Sequence, residues 1–88
     1  MPLIQREITV KNPQGLHARP AAMFVQIASK YNSHVMIQKG DEKVNGKSIM
    51  GILTLGAQKN SKVILEINGE DAQQAMLELG NLLIKESL

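Results

Sequence analysis

The 88-residue chain has no cysteine and no tryptophan, and only one tyrosine and one phenylalanine. Without cysteine there are no disulfides and no thiolate metal sites, as expected of a reducing compartment, here the cytoplasm. With two aromatic rings, there is little on which to stack bases, so nucleic-acid binding is not expected. No apolar run is long enough to span a bilayer, and Met1–Glu7 lacks the apolar core of a signal peptide. Neither membrane insertion nor export is therefore expected. The net charge is only +2 and the lysines are scattered, which excludes a basic stripe. Repeats, low-complexity tracts and interdomain linkers are also missing. What remains is 43% hydrophobic residues, sufficient for one small domain to fold without metals or crosslinks.

Those residues are patterned. Leu3–Val10 alternates as a strand, with Ile4, Ile8 and Val10 opposite Gln5 and Glu7. Lys11-Asn12-Pro13-Gln14-Gly15 breaks it. Ala18 to about Tyr31 predicts an amphipathic helix carrying Phe24, Val25, Ile27 and Ala28 on or near its apolar stripe. Asn32-Ser33 is a turn, His34–Lys39 a strand, and Gly40-Asp41 a tight turn into a short strand near Glu42–Val44. A short helix is predicted over about Ser48–Leu53, then a polar loop over Ala57–Asn60. Lys62–Ile67 alternates again, apart from Ile64, which is expected to be partly covered. Asp71 to about Lys85 places Ala72, Ala75, Met76, Leu79, Leu82 and Leu83 on one stripe, with Glu70 and Asp71 at its positive end and Lys85 at its negative end. The order βαββαβα predicts an α+β fold, an antiparallel sheet with helices on one face.

Gly15-Leu16-His17-Ala18-Arg19-Pro20-Ala21 is the segment richest in chemistry. Gly15 permits a backbone shape that bulkier residues resist, and Pro20 suits a first helical turn, where its missing N–H leaves no bond unmade. His17 thus falls where a loop becomes a helix. The first N–H groups of a helix lack internal acceptors and lie at the positive end of its dipole. A phosphoryl group on His17 would meet the N–H groups of Ala18 and Arg19 and the Arg19 guanidinium. Neutral imidazole supplies the lone pair to accept such a group. Local physics alone favours a plainer reading, a histidine that caps or packs at a helix start.

With Lys47-Ser48-Ile49-Met50-Gly51 some thirty residues later, the histidine segment resembles the HPr family. These are the histidine-containing phosphocarriers of the bacterial phosphoenolpyruvate-dependent sugar phosphotransferase system. The resemblance covers nearly the whole chain and implies one HPr-like domain over residues 1–88. It also implies an open-faced β-sandwich, a four-stranded antiparallel sheet in the order 1-4-2-3 covered on one face by helices. Residue by residue, it implies that His17 is the phosphorylated histidine, Arg19 the phosphate-contacting arginine and Ser48 the regulatory serine. The implied partners are enzyme I, the sugar-specific enzyme IIA components, an HPr serine kinase/phosphorylase and a transcriptional regulator. No cofactor is implied, and a monomer is expected.

Each of these roles has an alternative. Ser48 suits the N-cap of the short helix, the better reading from local physics; a capping hydroxyl at an exposed helix start can also meet a kinase. Ile49, Met50 and Leu53 cannot all point inward from so short a helix, so at least one is expected at the surface. The family's docking face would here comprise Ala18, Ala22, Met23, Ile49, Met50 and Leu53, methionine suiting varied partners. Gln14 stands where the family varies, which leaves its part in the phosphate pocket open. His17 argues against the catabolite-repression paralogue, which has glutamine there. Lys-Ser-Ile-Met-Gly favours the sugar branch over the nitrogen-related branch, which has the same histidine chemistry.

Elsewhere the chemistry is thin. Gly46-Lys47-Ser48 ends like a phosphate-binding P-loop, but the required glycine is replaced by Asp41. His34 lacks a second histidine or cysteine at metal spacing and reads as a surface residue. The paired acids read as turn or helix-end charges. With no complete catalytic constellation, the chain reads as a phosphoryl carrier rather than an independent catalyst.

Overall fold

The computed structural model describes residues 2–86. Its elements are β1 (Leu3–Thr9), α1 (Ala18–Ser29), β2 (His34–Lys39), β3 (Glu42–Asn45), α2 (Ile49–Leu55), β4 (Lys62–Asn68) and α3 (Ala72–Ile84). All strand pairs are antiparallel, in the order β1-β4-β2-β3. This is the α+β open-faced sandwich expected from the sequence.

Alternation sets the register. Val63, Leu65 and Ile67 of β4 are fully buried, and they pair with Ile8, with Arg6 and Ile37, and with Ile4 and Val35 respectively. Each such burial stabilises the fold by roughly 1.5–3 kcal/mol. α1 and α3 pack against each other over the core, α3 lies against β1 and β4, and α2 sits beside β3 and α1. Phe24 from α1 and Leu79 from α3 are completely enclosed. Ile64 is half-buried on the opposite face, between Glu7 and Gln38. Long polar side chains cover that open face, where Gln5 donates to Glu66 at 3.3 Å and Lys43 pairs with Glu66 at 3.0 Å.

The ends of several elements differ from the sequence reading. β1 stops at Thr9 rather than Val10, although Val10 N–H still reaches the Ser61 carbonyl at 2.9 Å. α1 ends at Ser29, short of Tyr31, whereas α2 extends to Leu55 and closes on Gly56 in the left-handed region. Ala57, expected in a polar loop, is fully buried. Asp71 precedes α3 but makes no side-chain bond to that helix. Its carboxylate instead accepts the N–H groups of Asn32 and Ser33, at 2.9 and 3.0 Å, and the Ser33 hydroxyl. These bonds, the Ser33 hydroxyl first, hold the Asp71 carboxyl below its ordinary range.

Candidate functional site

The loop after β1 is shaped before it reaches His17. Gly15 has φ +66°, and its N–H bonds to the Asn12 carbonyl at 3.0 Å. A Cβ at Gly15 would stand 2.4 Å from the Ala57 carbonyl oxygen, so only glycine lets the two segments meet. Leu16, itself buried, donates its N–H to the same carbonyl at 2.7 Å. The histidine loop is thereby clamped to the chain just beyond α2.

His17 is the N-cap residue of α1, extended at φ −128° and ψ 162°, and exposed. Its side chain makes no capping bond, which removes the capping version of the plainer reading. The ring stands beside α2's end: a Cβ on Gly56 would lie 3.7 Å from His17 Cε1. Ala18, next in the chain, has φ +50°, a left-handed conformation that costs an alanine about 1–2 kcal/mol. The first helical bond, Ala21 N–H to the His17 carbonyl, is stretched to 3.5 Å. Ala18 and Arg19 N–H groups find no acceptor among the described residues, and Pro20, buried in the first turn, has no N–H to place. Arg19 is exposed and, with Asn12, Pro13 and Gln14, lines a cleft of about 130 Å³. An exposed imidazole, two unpaired N–H groups and a guanidinium therefore occupy one short stretch of chain. Together they can hold an anion attached to the ring.

Ser48 lies at the other end of α2. It is half-buried, extended at φ −109°, and its hydroxyl accepts the Gly51 N–H at 3.1 Å. The Asn45 side chain accepts the Lys47 N–H at 2.8 Å, and Lys47 Nζ reaches the Tyr31 carbonyl at 2.6 Å. Ser48 is thus a capping residue, tied through its neighbour to the end of α1. Beside it, Ile49, Met50 and Leu53 are 41%, 69% and 40% exposed while Ile52 and Leu55 point inward. Ala18 and Ala22 are exposed as well. Met23 differs from these. It is half-buried and lines the groove between α1 and α3, with Ile27 and Leu82.

Sequence reasoning passed over Asn12 and Ala57, which carry the hydrogen bonds shaping the loop. Both read as ordinary loop residues. The Asn12 bonds lie within its own turn, which Asn before Pro13 and Gly15 could have signalled. Its burial and the Ala57–Leu16 bond between distant segments leave no local signal. Among the described residues, no three His, Asp or Glu side chains gather as metal ligands do. His34 is exposed at the start of β2.

Comparison with known proteins places this geometry. Residues 4–85 match the family described as the PTS HPr component phosphorylation site, PTS being the phosphotransferase system. The HPr-like protein Crh of Bacillus subtilis is 43% identical over 88% of this chain and 91% of its own. The phosphocarrier protein HPr of Neisseria meningitidis serogroup A is 42% identical, covering 92% and 91%. Among solved structures, the phosphocarrier protein HPr from Bacillus anthracis superposes with a TM-score of 0.90 at 37% identity, over 92% of this chain and 96% of that one. The chain belongs to the HPr family of phosphocarriers.

Proposed function

We propose that this protein is a phosphocarrier of the sugar phosphotransferase system, accepting a phosphoryl group on His17 from enzyme I and passing it to sugar-specific enzyme IIA components. The observation that carries this reading is the open start of α1, where an exposed, uncapped imidazole stands beside two unpaired N–H groups and Arg19. In the transfer, the lone pair of His17 Nδ1 attacks the phosphorus of the donor's phosphohistidine. The new N–P bond forms as the donor's N–P bond breaks, and that bonding pair returns to the donor ring. Each ring keeps the proton on its other nitrogen, so none crosses between the proteins. Chemistry of this kind depends on positioning and charge neutralisation, which the N–H groups of Ala18 and Arg19 and the guanidinium supply. Docking falls to Ala18, Ala22, Met23, Ile49, Met50 and Leu53, and the setting is the cytoplasm. The nitrogen-related branch would use the same site with other acceptors.

A second reading, favoured by the half-exposed Ser48 beside the apolar surface of α2 and by the similarity to Crh, is a regulatory module. A serine kinase would modify Ser48, and the added dianion beside Ile49 and Met50 would repel acidic partners or attract an arginine-bearing transcriptional regulator. The helix dipole tolerates phosphate there, so the fold would survive.

One experiment separates the readings. Incubation with phosphoenolpyruvate and enzyme I is expected to give acid-labile phosphate that is lost in His17→Ala. No incorporation, with enzyme I active on a known carrier, would reject the carrier role. Acid-stable phosphate after serine-kinase treatment, lost in Ser48→Ala, would support the regulatory one.

A further inference from the structure

Two buried polar side chains, Asn12 and Ser33, are each 2% exposed. Ser33 is satisfied: its N–H and hydroxyl both bind Asp71. Asn12 is only half used. Its Oδ1 accepts the Gln14 N–H at 3.0 Å, and its backbone carbonyl accepts the Gly15 N–H at 3.0 Å. A backbone N–H can only donate, so the oxygen of the Asn12 amide must face Gln14, and this sets which way the amide is turned. Its nitrogen, Nδ2, is left buried with no hydrogen-bond partner among the described residues. An unpaired buried donor destabilises a folded protein, and native structures hold only a few, each of which needs an explanation. Asn12 is also a wall of the cleft that Arg19 lines, immediately before the turn that delivers His17.

We propose that Asn12 is a further phosphoryl-binding residue, its Nδ2 donating to the phosphoryl group carried on His17 from the cleft it shares with Arg19. The proposal rests on the phosphocarrier reading and adds a donor from the loop before the histidine. In the resting protein Nδ2 is covered. Gln14 and Arg19 are the long, exposed side chains of the same cleft, and their rearrangement around an anion opens the way to it. The unmade bond of the resting state is then made in the phosphorylated state, which is stabilised by the difference. A neutral amide suits a carrier, because it adds a donor without the further positive charge that would hold the group against transfer.

The test is made on the intact, ¹⁵N-labelled protein, phosphorylated with phosphoenolpyruvate and enzyme I. One Asn12 side-chain amide proton is expected to move downfield on phosphorylation, together with the Ala18 and Arg19 backbone amides. Asn12→Asp keeps the oxygen that accepts Gln14 N–H but lacks the donor. Its phosphohistidine is expected to hydrolyse about tenfold faster, the loss expected for one charge-assisted bond, while Asn12→Ser gives a smaller acceleration. If the backbone amides shift and the Asn12 amide does not, the proposal is overturned and the carrier reading stands. If His17 takes no phosphate at all, both fall. The amide measurement needs no substitution, so it decides the matter even where a variant fails to fold.

Discussion

The starts of α1 and α2 are built in opposite ways. Both N-cap residues are extended, as caps usually are. Ser48 turns its hydroxyl onto the Gly51 N–H, and the preceding Asn45 absorbs the Lys47 and Ser48 N–H groups. α2 therefore satisfies its own first turn. His17 gives its helix no side-chain bond, Ala18 is twisted to a positive φ, and the first helical bond is long. α1 leaves donors unmade where α2 leaves few. A helix start that is closed on itself gains stability locally; one left open gives up that stability and gains a place for an anion from outside. The open start must then be held in shape from elsewhere, and here the support comes from Ala57, beyond the far end of α2.

That support offers the sharpest way to break the contrast. Gly15→Ala introduces a Cβ 2.4 Å from the Ala57 carbonyl oxygen, at φ +66°. Gly40→Ala meets the same backbone restriction, at φ +58°, with nothing within 4 Å among the described residues. The strain common to both is about 1–2 kcal/mol, and crowding should bring the loss at Gly15 to about 2–5 kcal/mol. Urea denaturation of the two variants measures the difference directly. Equal losses would mean that the loop is not clamped against Ala57 as described.

The two helix starts should also respond separately to loss of their key side chains. Arg19 is exposed and makes no ion pair among the described residues, so Arg19→Ala should change stability by less than about 0.5 kcal/mol. Phosphoryl acceptance from enzyme I should slow by about 10–100-fold, as expected for loss of a charge-assisted contact. Ser48→Ala should do the reverse. Loss of the cap is expected to reduce stability by about 1 kcal/mol, with the rate of His17 phosphorylation unchanged. Stopped-flow transfer assays beside denaturant titrations would test both. If Arg19→Ala lost stability and rate in proportion, its role would be structural.

The self-contained start was the easier to read from sequence. A serine before a short apolar run is a local signal, and Ser48 caps α2 as that signal predicts. The strands and the stripe of α3 were legible for the same reason, since Val63, Leu65 and Ile67 alternate and Ala72, Ala75, Met76 and Leu79 recur at helical spacing. The open start was legible only as a motif. Nothing in Ala18 announces a positive φ, because alanine is ordinarily the best helix former. Nothing in Ala57 announces that its carbonyl receives Leu16, because that bond joins distant segments. Asn12 sits between Lys11 and Pro13, where a polar residue looks like simple punctuation, yet it is buried. Ladders and stripes repeat within one element and leave a periodic trace; a contact made once between loops leaves none.

The third helix start adds a case in which the capping residue serves neither its own helix nor an outside anion. Asp71 precedes α3 but directs its carboxylate to Asn32 and Ser33, the turn between α1 and β2. The Ser33 hydroxyl, with help from the Asn32 N–H, holds the folded carboxyl below its ordinary value. A depressed folded pKa means that the unfolded chain binds the proton more readily, so the contribution is complete above about pH 4, the unfolded aspartate value. It is lost as pH falls through the lower folded value. Glu78, held down first by Lys30 and then by the Tyr31 hydroxyl, acts in the same direction and gives the background slope. Ser33→Ala should therefore flatten the acid side of the stability profile while leaving His17 chemistry untouched. Urea midpoints taken from about pH 5 down to about pH 2 decide the point: parallel curves for the parent and Ser33→Ala would show that the hydroxyl does not set the Asp71 titration. The effect should be the smallest of the set, because these carboxylates face solvent and water screens what they gain.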